Sequence, residues 1–137
     1  MGKEELVGDV YVDDLIVTGA RVEDIDSFER EMTARFRMSD LGVLFYYLDI
    51  EVRQWKETLT LGQSAYASKL LERSGMAECK PCVTPMEERL KLTKASTAAK
   101  VDATLYRSIG DGLRYLVHTR PHIAFAMVYV SRFMEDP

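Results

Sequence analysis

Two short apolar segments separated by two aspartates constrain the fold of this chain most. Residues 10–12 (VYV) and 15–17 (LIV) consist of side chains that favour β-strands. A gap of two residues is the spacing of a tight antiparallel hairpin, which places Asp13 and Asp14 in the turn. The sequence therefore predicts a hairpin whose turn carries two adjacent carboxylates.

A different period begins near Asp24 and predicts an amphipathic helix. Its apolar side chains recur at the spacing of one helical face, at Ile25, Phe28, Met32 and Phe36. The SDLG turn signal at residues 39–42 ends this pattern. We therefore expect a helix of about three turns after the hairpin.

Residues 43–53 alternate between apolar and polar side chains, which predicts one half-exposed strand. Its two faces are Leu48, Ile50 and Val52 on the apolar side and Asp49, Glu51 and Arg53 on the polar side. A polar break at residues 54–58 includes Trp55, which we expect in a turn. The LTL segment at 59–61 then predicts an antiparallel return, so that a second hairpin forms.

The following region is predicted to be a helix and then a long loop. Residues 63–74 place Tyr66, Leu70 and Leu71 on one helical side, and Gly75 follows where a left-handed cap is expected. Residues 78–102 contain two prolines and no sustained period. Such a composition is typical of a flexible surface connection.

Two further helices are expected after this loop. Asp102 is a candidate N-cap for the first, although Gly110 and Gly112 each cost it about 1 kcal/mol relative to alanine. Its apolar side is formed by Leu105, Ile109, Leu113 and Leu116. The second helix is predicted to begin at Pro121, because proline is favoured in a first helical turn. Its predicted buried residues are Ile123, Met127, Val130 and either Phe133 or Met134.

The order of these elements indicates a single α+β domain with two β-hairpins and about four helices. The net charge of −4 does not supply the broad positive field of free nucleic-acid-binding proteins, so such binding should be weak and local. The longest apolar stretch, residues 123–130, is too short to span a bilayer, so no membrane association is expected. A chain with two cysteines and no signal peptide is expected inside the cell, in the cytoplasm or nucleus.

The aspartate pair is the candidate for chemistry. Adjacent carboxylates repel each other unless a cation neutralises them, and Mg²⁺ is typically held by one or two carboxylates together with substrate phosphates. An ordinary solvated turn is the alternative interpretation, and the two residues alone leave both readings open.

The residues around the pair resemble a known family. Residues 11–14 (YVDD) match the Tyr-x-Asp-Asp signature of reverse transcriptases, and the longer segment YVDDLIVTG is similar to that of copia-type long-terminal-repeat retrotransposons. Three later segments resemble the same polymerases in the same order, at residues 36–53, 59–86 and 105–137. The resemblance therefore covers nearly the whole chain.

This resemblance implies a role for several residues. Asp13, together with an aspartate on another palm strand, would hold two Mg²⁺ ions, and Asp14 would be a supporting carboxylate. Tyr11 would lie near the primer end or template, and Tyr47 would lie in the strand pair that steadies the primer terminus. Residues 1–62 would be a partial palm and residues 63–137 thumb-like and connection-like helices. In the thumb-like part, Lys69 and Arg73 would contact the nucleic-acid backbone.

The family's fingers, its basic nucleotide-binding residues and its other palm aspartate lie upstream of the matched region, and its ribonuclease H domain lies downstream. We therefore expect this chain alone to be catalytically incomplete and to bind Mg²⁺ weakly. The alternative is a domesticated, non-catalytic protein that acts by binding a protein partner or by forming a homodimer through the edge of the Val10 hairpin. The family also usually has glycine at the position of Asp49.

Cys79 and Cys82 have the spacing of metal ligands, but a structural zinc site needs about four ligands. The sequence offers only His118 and His122 in addition. We therefore interpret the cysteines as ordinary loop thiols and the histidines as surface residues. Three lysines of the predicted loop are interpreted as solvated, with phosphate contact as the alternative; they are Lys91, Lys94 and Lys100.

Overall fold

The computed structural model describes residues 6–93 and 101–137, which fall into two compact units. The first unit extends to Leu44, and the second comprises Phe45–Pro137. In the described parts of the chain, five strands form two small antiparallel sheets, accompanied by four α-helices. This confirms the predicted α+β class. The division into palm-like and thumb-like parts stays a prediction.

The first unit contains the predicted hairpin, with a shifted turn. Strand β1 (Val7–Tyr11) pairs antiparallel with β2 (Asp14–Thr18), and Tyr11 lies opposite Asp14. The turn residues are therefore Val12 and Asp13, so the prediction that Asp14 lies in the turn is wrong. The cross-strand register decides this. After the pair of Val10 and Leu15, the ladder includes one more pair, Tyr11 and Asp14, so Asp14 belongs to a strand. Val12 adopts a positive φ of 54° to close the turn.

Helix α1 (Val22–Arg35) follows the hairpin and confirms the predicted amphipathic helix. Arg21, its N-cap residue, forms an ion pair with Asp24 at 2.7 Å across the first turn. The prediction that Phe36 continues the helical face is wrong. Phe36 is the C-cap in an extended conformation, and its side chain is exposed, because the helix ends one residue earlier.

The second unit begins with a three-stranded sheet in the order β3 (Tyr46–Tyr47), β4 (Ile50–Trp55) and β5 (Thr58–Gly62). The prediction of one continuous strand over residues 43–53 is therefore wrong. The chain reverses at Leu48 and Asp49, which have positive φ values of 47° and 59°. Two successive left-handed residues are the signature of a tight hairpin turn.

The second turn of this sheet confirms the predicted return strand but not the position of Trp55. Trp55 pairs with Thr58, so the turn consists of Lys56 and Glu57. Trp55 is the last residue of β4 rather than a turn residue, because the ladder extends one pair further than the polar composition suggests.

Helix α2 (Ser64–Arg73) confirms the predicted fourth element, and Gly75 has the expected left-handed conformation with φ +70°. Its buried residues are Ala67 and Leu70. Leu71, which was expected on the same helical side as Leu70, is 46% exposed.

Helix α3 (Ala103–Leu116) begins at the predicted cap. The Asp102 carboxylate accepts hydrogen bonds from the backbone N–H groups of Thr104 and Leu105, at 2.8 and 3.1 Å. Leu116 of α3 joins Ala67 and Leu70 in the core of the second unit. The partly buried residues packed around this core are Tyr66, Leu113 and Ile123. Leu105 is exposed, contrary to its predicted place on the apolar side.

Gly110 and Gly112 are buried, so they do more than weaken α3. A Cβ atom at Gly112 would lie 2.6 Å from Cδ1 of Leu70, and one at Gly110 would collide with the end of Met134. The two glycines therefore allow close approach of neighbouring segments.

Pro121 lies in a short 3-10 turn (Pro121–Ile123), and helix α4 (Ala124–Ser131) follows it. Met127 is buried as predicted. Phe133 and Met134 lie beyond the end of α4.

After α2, residues 76–93 contain no helix or strand. The rest of the predicted flexible loop includes residues 94–100, with Lys94 and Lys100, which lie outside the described residues. None of the helices in the described ranges is both long and apolar enough to cross a membrane.

Candidate functional site

The aspartate pair lies at the end of the β1–β2 hairpin. Asp13 is a turn residue, and Asp14 is the first residue of β2. Both are exposed to solvent. Within residues 6–93 and 101–137, neither carboxylate has a side-chain hydrogen bond or an ion pair. Their four oxygens are therefore available to an external cation.

These two carboxylates fit part of a magnesium site. Carboxylate oxygens are the ligands Mg²⁺ prefers, and one or two protein carboxylates suffice when substrate phosphates complete the coordination. In the part of the chain that the structure describes, no cluster of three or more histidine, cysteine, aspartate or glutamate residues could hold a metal ion. The hairpin therefore supplies a partial set of ligands, and no third carboxylate joins it from the described residues.

The hairpin around the carboxylates carries exposed apolar side chains. Val10 is 70% exposed and Val12 is 80% exposed, and Tyr11 is also exposed. Tyr11 lies directly opposite Asp14 in the ladder. The structure therefore places Tyr11 next to the aspartate pair, and its expected position near the primer end or template stays a prediction.

The other predicted contact residues belong to the second unit. Tyr47 is half-buried in β3, immediately before the reversal at Leu48. Lys69 is exposed on α2. Arg73, at the end of the same helix, donates a hydrogen bond to the carbonyl oxygen of Ser108 on α3 at 3.2 Å. Arg73 thus joins two helices of its own unit, whereas Lys69 is directed to solvent.

Asp49 lies in the turn between β3 and β4, with a positive φ of 59°. Its carboxylate accepts a hydrogen bond of 2.6 Å from the hydroxyl of Tyr46, which raises the pKa of that phenol. The hydroxyl of Tyr115 on α3 donates to the carbonyl oxygen of Leu48. Two tyrosines therefore stabilise a turn that aspartate enters less readily than glycine.

Glu51 makes a structural contact that the sequence did not predict. Its Oε1 accepts a hydrogen bond of 3.0 Å from the backbone N–H of Ala65, in the first turn of α2. That hydrogen bond is the largest cause of a lowered Glu51 pKa, and the neighbouring Arg53, 3.3 Å away, lowers it further. Strand β4 thereby caps the helix that follows β5. No local sequence signal predicts a contact across 14 residues.

Cys79 and Cys82 are both free and exposed. The backbone from 79 to 82 shows neither turn nor bend, and Pro81 biases the residue before it to extended conformations. The loop-thiol interpretation therefore stays the simpler one. His118 and His122 are exposed as well.

Comparison with known proteins places these features in a family. The sequence pattern of the reverse transcriptase (RNA-dependent DNA polymerase) family matches residues 1–88. The retrovirus-related Pol polyprotein from transposon RE1 of Arabidopsis thaliana is 38% identical over 128 residues, which cover 93% of this chain and 9% of that protein. The corresponding polyprotein from transposon TNT 1-94 of Nicotiana tabacum is 34% identical over 137 residues, or 10% of its length.

A mitochondrial protein of Arabidopsis thaliana, described as uncharacterized, is 36% identical over 128 residues. The chain covers 53% of that relative, so it spans about half of one similar protein and a small part of the polyproteins. No solved structure matches the chain significantly. Because the family pattern covers well over half of the sequence and includes the YVDD hairpin, the chain belongs to the reverse transcriptase family and is similar to a segment of copia-type transposon Pol polyproteins.

Proposed function

We propose that the β1–β2 hairpin is the metal-binding hairpin of a reverse-transcriptase palm, with Asp13 and Asp14 as its ligands. The observation that supports this most is the exposure of both carboxylates without an intramolecular partner among the described residues. A pair of neighbouring negative charges is unfavourable unless a cation is bound, so such an arrangement suits a cation-binding role. The family membership supplies the chemical context.

The bound Mg²⁺ would activate a primer 3′-hydroxyl and stabilise charge on the phosphates of an incoming nucleotide. The residues of this chain have a positioning role. The antiparallel ladder fixes Asp14 opposite Tyr11, and the tight turn fixes Asp13 beside it. The two carboxylates are thereby held on a short, defined support, as a metal site requires.

We further propose that the 137-residue chain does not polymerise DNA by itself, because a two-metal site needs a further carboxylate. A primer-extension assay with Mg²⁺ tests this directly. The expected result is no extension by the purified chain. Mg²⁺-dependent extension that Asp13→Asn abolishes would contradict the proposal.

The metal role is tested by Mn²⁺, which replaces Mg²⁺ at oxygen sites and broadens nearby NMR signals. Mn²⁺ at low concentration should broaden the amide signals of Asp13 and Asp14. Asp13→Asn should remove this broadening, whereas Asp9→Asn on the same hairpin should preserve it. Broadening that Asp9→Asn weakens as much as Asp13→Asn does would argue for diffuse attraction to negative charge.

A functional test uses a chimera between this chain and the polyprotein of a relative. The matched segment of the transposon RE1 polyprotein is replaced by this chain, and reverse transcription is measured with Mg²⁺. We expect activity from the chimera and from its Asp9→Asn variant, and a loss of about a hundredfold or more from Asp13→Asn. Activity that survives Asp13→Asn would rule out a catalytic role for this carboxylate.

The second candidate is a domesticated protein that acts through self-association. The apolar side chains exposed on the hairpin favour it, since β1, which carries Val10, pairs only with β2 in the described unit, and Val12 is exposed in the turn beside it. Sedimentation over a range of concentrations should detect a dimer, and Val10→Lys should dissociate it. A monomer at all concentrations would contradict this candidate.

A further inference from the structure

Strand β5 lies at an edge of the three-stranded sheet, because among the described residues it pairs with β4 alone. Its two leucines are exposed, Leu59 by 60% and Leu61 by 52%. The strand contains no charged residue and no proline, and its ladder with β4 runs without a bulge. Charges, prolines and bulges are the features by which proteins prevent an edge strand from pairing with another chain. The β5 edge has none of these features.

The open edge of β5 presents the backbone groups of Leu59 and Leu61. Trp55 and Thr58 close a two-residue turn, so they form a hydrogen-bonded pair of the ladder. Because such pairs alternate along an antiparallel ladder, every second residue of β5, beginning with Thr58, directs its N–H and C=O groups to β4. Those of the two leucines point away from β4. In the part of the chain that the structure describes, no backbone hydrogen bond outside the sheet involves either leucine.

The order of residues in β5 makes this edge complementary to a second copy of itself. In an antiparallel pair of two β5 strands centred on Thr60, Leu59 of one copy lies opposite Leu61 of the other. The outward N–H and C=O groups of the leucines then meet as hydrogen-bonded pairs. The leucine side chains of both strands share one face, and the threonines share the other.

The leucine face of β5 continues the apolar interior of the chain. Leu61 pairs with Val52, which is 8% exposed, and side chains paired across a ladder lie on the same face. Joining two β5 edges therefore covers leucine surface that a single chain exposes. A contact between two five-residue strands is smaller than the roughly 1,200–2,000 Å² of stable protein complexes. We therefore expect a weak dimer that dissociates on dilution.

The opposite edge of the sheet limits the assembly to two copies. That edge is β3, which has only two residues, and a very short edge strand offers little to pair with. Pairing of β5 with β5 also uses the same surface of both copies, so the interface is symmetric and closed.

We propose that two copies of this chain associate through their β5 edges, as an antiparallel strand pair centred on Thr60. The partner is a second copy because the leucine and threonine order of β5 and its outward backbone groups match those of the same strand reversed. The inference rests neither on Asp13 nor on a metal ion. It also differs from self-association through the β1 edge, which belongs to the other unit.

Thr60 provides the test, because in this register it lies opposite Thr60 of the other copy. Like charges directly opposite each other in a ladder are destabilising. Thr60→Lys and Thr60→Glu should therefore each raise the dissociation constant of the dimer about fivefold or more. An equimolar mixture of the two variants should restore association, because lysine then lies opposite glutamate. Sedimentation equilibrium over a range of concentrations measures this, with a reductant present because both cysteines are exposed.

Thr33→Lys is the matched control, since it makes the same substitution at an exposed position of α1. It should associate as the wild type does, and the circular dichroism of all three variants should be unchanged. Wild-type protein that stays monomeric up to its solubility limit would overturn the inference, as would a mixture of the Thr60 variants that stays monomeric. A dimer that Val10→Lys dissociates and Thr60→Lys leaves intact would also overturn it, and so would oligomers that grow beyond two copies.

Discussion

The hydroxyl of Thr119 donates a hydrogen bond of 2.8 Å to the side-chain oxygen of Gln63. Gln63 is 1% exposed and is the N-cap residue of α2, while Thr119 follows the end of α3. The pair therefore joins the start of one helix to the end of another. Because Gln63 is buried, we expect this hydrogen bond to contribute to the free energy of unfolding, since polar groups inside a protein are costly without partners.

Gln63→Ala should destabilise the second unit by about 2–3 kcal/mol, because it leaves a cavity and an unpaired Thr119 hydroxyl. Thr119→Val should cost about 1 kcal/mol. Urea unfolding followed by circular dichroism measures both. Gln54→Ala, at an exposed position of β4, is the control and should change stability by less than about 0.5 kcal/mol. Equal effects of the two glutamine variants would contradict the role of Gln63.

Asp102→Ala should lower stability by about 1 kcal/mol, since its carboxylate accepts two backbone hydrogen bonds at the start of α3. Helical circular dichroism during thermal unfolding measures the change. Asp111→Ala removes the same charge from an exposed position within the same helix. It should be neutral or slightly stabilising, because alanine has the higher helix propensity. If Asp111→Ala lowers stability more than Asp102→Ala does, Asp102 does not stabilise α3 as its N-cap.

Gly112→Ala should destabilise the unit by about 1–2 kcal/mol even though alanine favours helix by about 1 kcal/mol. The new methyl group would lie 2.6 Å from Cδ1 of Leu70, which is buried and cannot move freely. Gly110→Ala is the matched comparison, because its new methyl group would contact the end of the flexible Met134 side chain. Chemical unfolding should rank Gly110→Ala as clearly the milder change. The opposite ranking would show that the α2–α3 approach does not depend on Gly112.

Glu51 should make stability depend on pH in the acidic range. Its folded-state pKa is lowered, first by the Ala65 N–H, so the carboxylate stabilises the fold fully above the pKa of the unfolded chain, about 4.3. That contribution is lost as the pH falls through the lower, folded-state pKa. Unfolding free energies measured between about pH 6 and 3 should fall less steeply in Glu51→Gln than in the wild type. Glu57→Gln, at the exposed turn, should follow the wild-type curve.

Several elements could be predicted because their signals are local. The hairpin around the aspartate pair follows from two β-prone segments, and α3 begins at Asp102 because a carboxylate there reaches two backbone N–H groups. Gly75 ends α2 with a left-handed cap for an equally local reason. The family, too, was recognisable from short segments in a fixed order, which include the YVDD motif.

Other features were missed because they depend on partners distant in the sequence. The alternation that predicted a strand runs from Leu48 to Arg53 and so includes both residues of the reversal, Leu48 and Asp49, without marking it as a turn. It is stabilised in part by Tyr115, 67 residues further along the chain. Likewise, nothing in the local sequence distinguishes Glu51 and Gln63 from other polar residues. Their roles follow from the hydrogen bonds that they accept from Ala65 and Thr119.

The candidate site shows the same division. The motif alone identified Asp13, Asp14 and Tyr11, whereas the pairing of β1 with β2 decided which residues form the turn. The expected contact of Arg73 with nucleic acid stays a prediction, and its position beside α3 adds a carbonyl partner within its own unit that the sequence did not indicate. Residue types and their spacing thus determined the family and several local elements. Strand register and helix packing decided which side chains meet, because those contacts form only when distant segments come together.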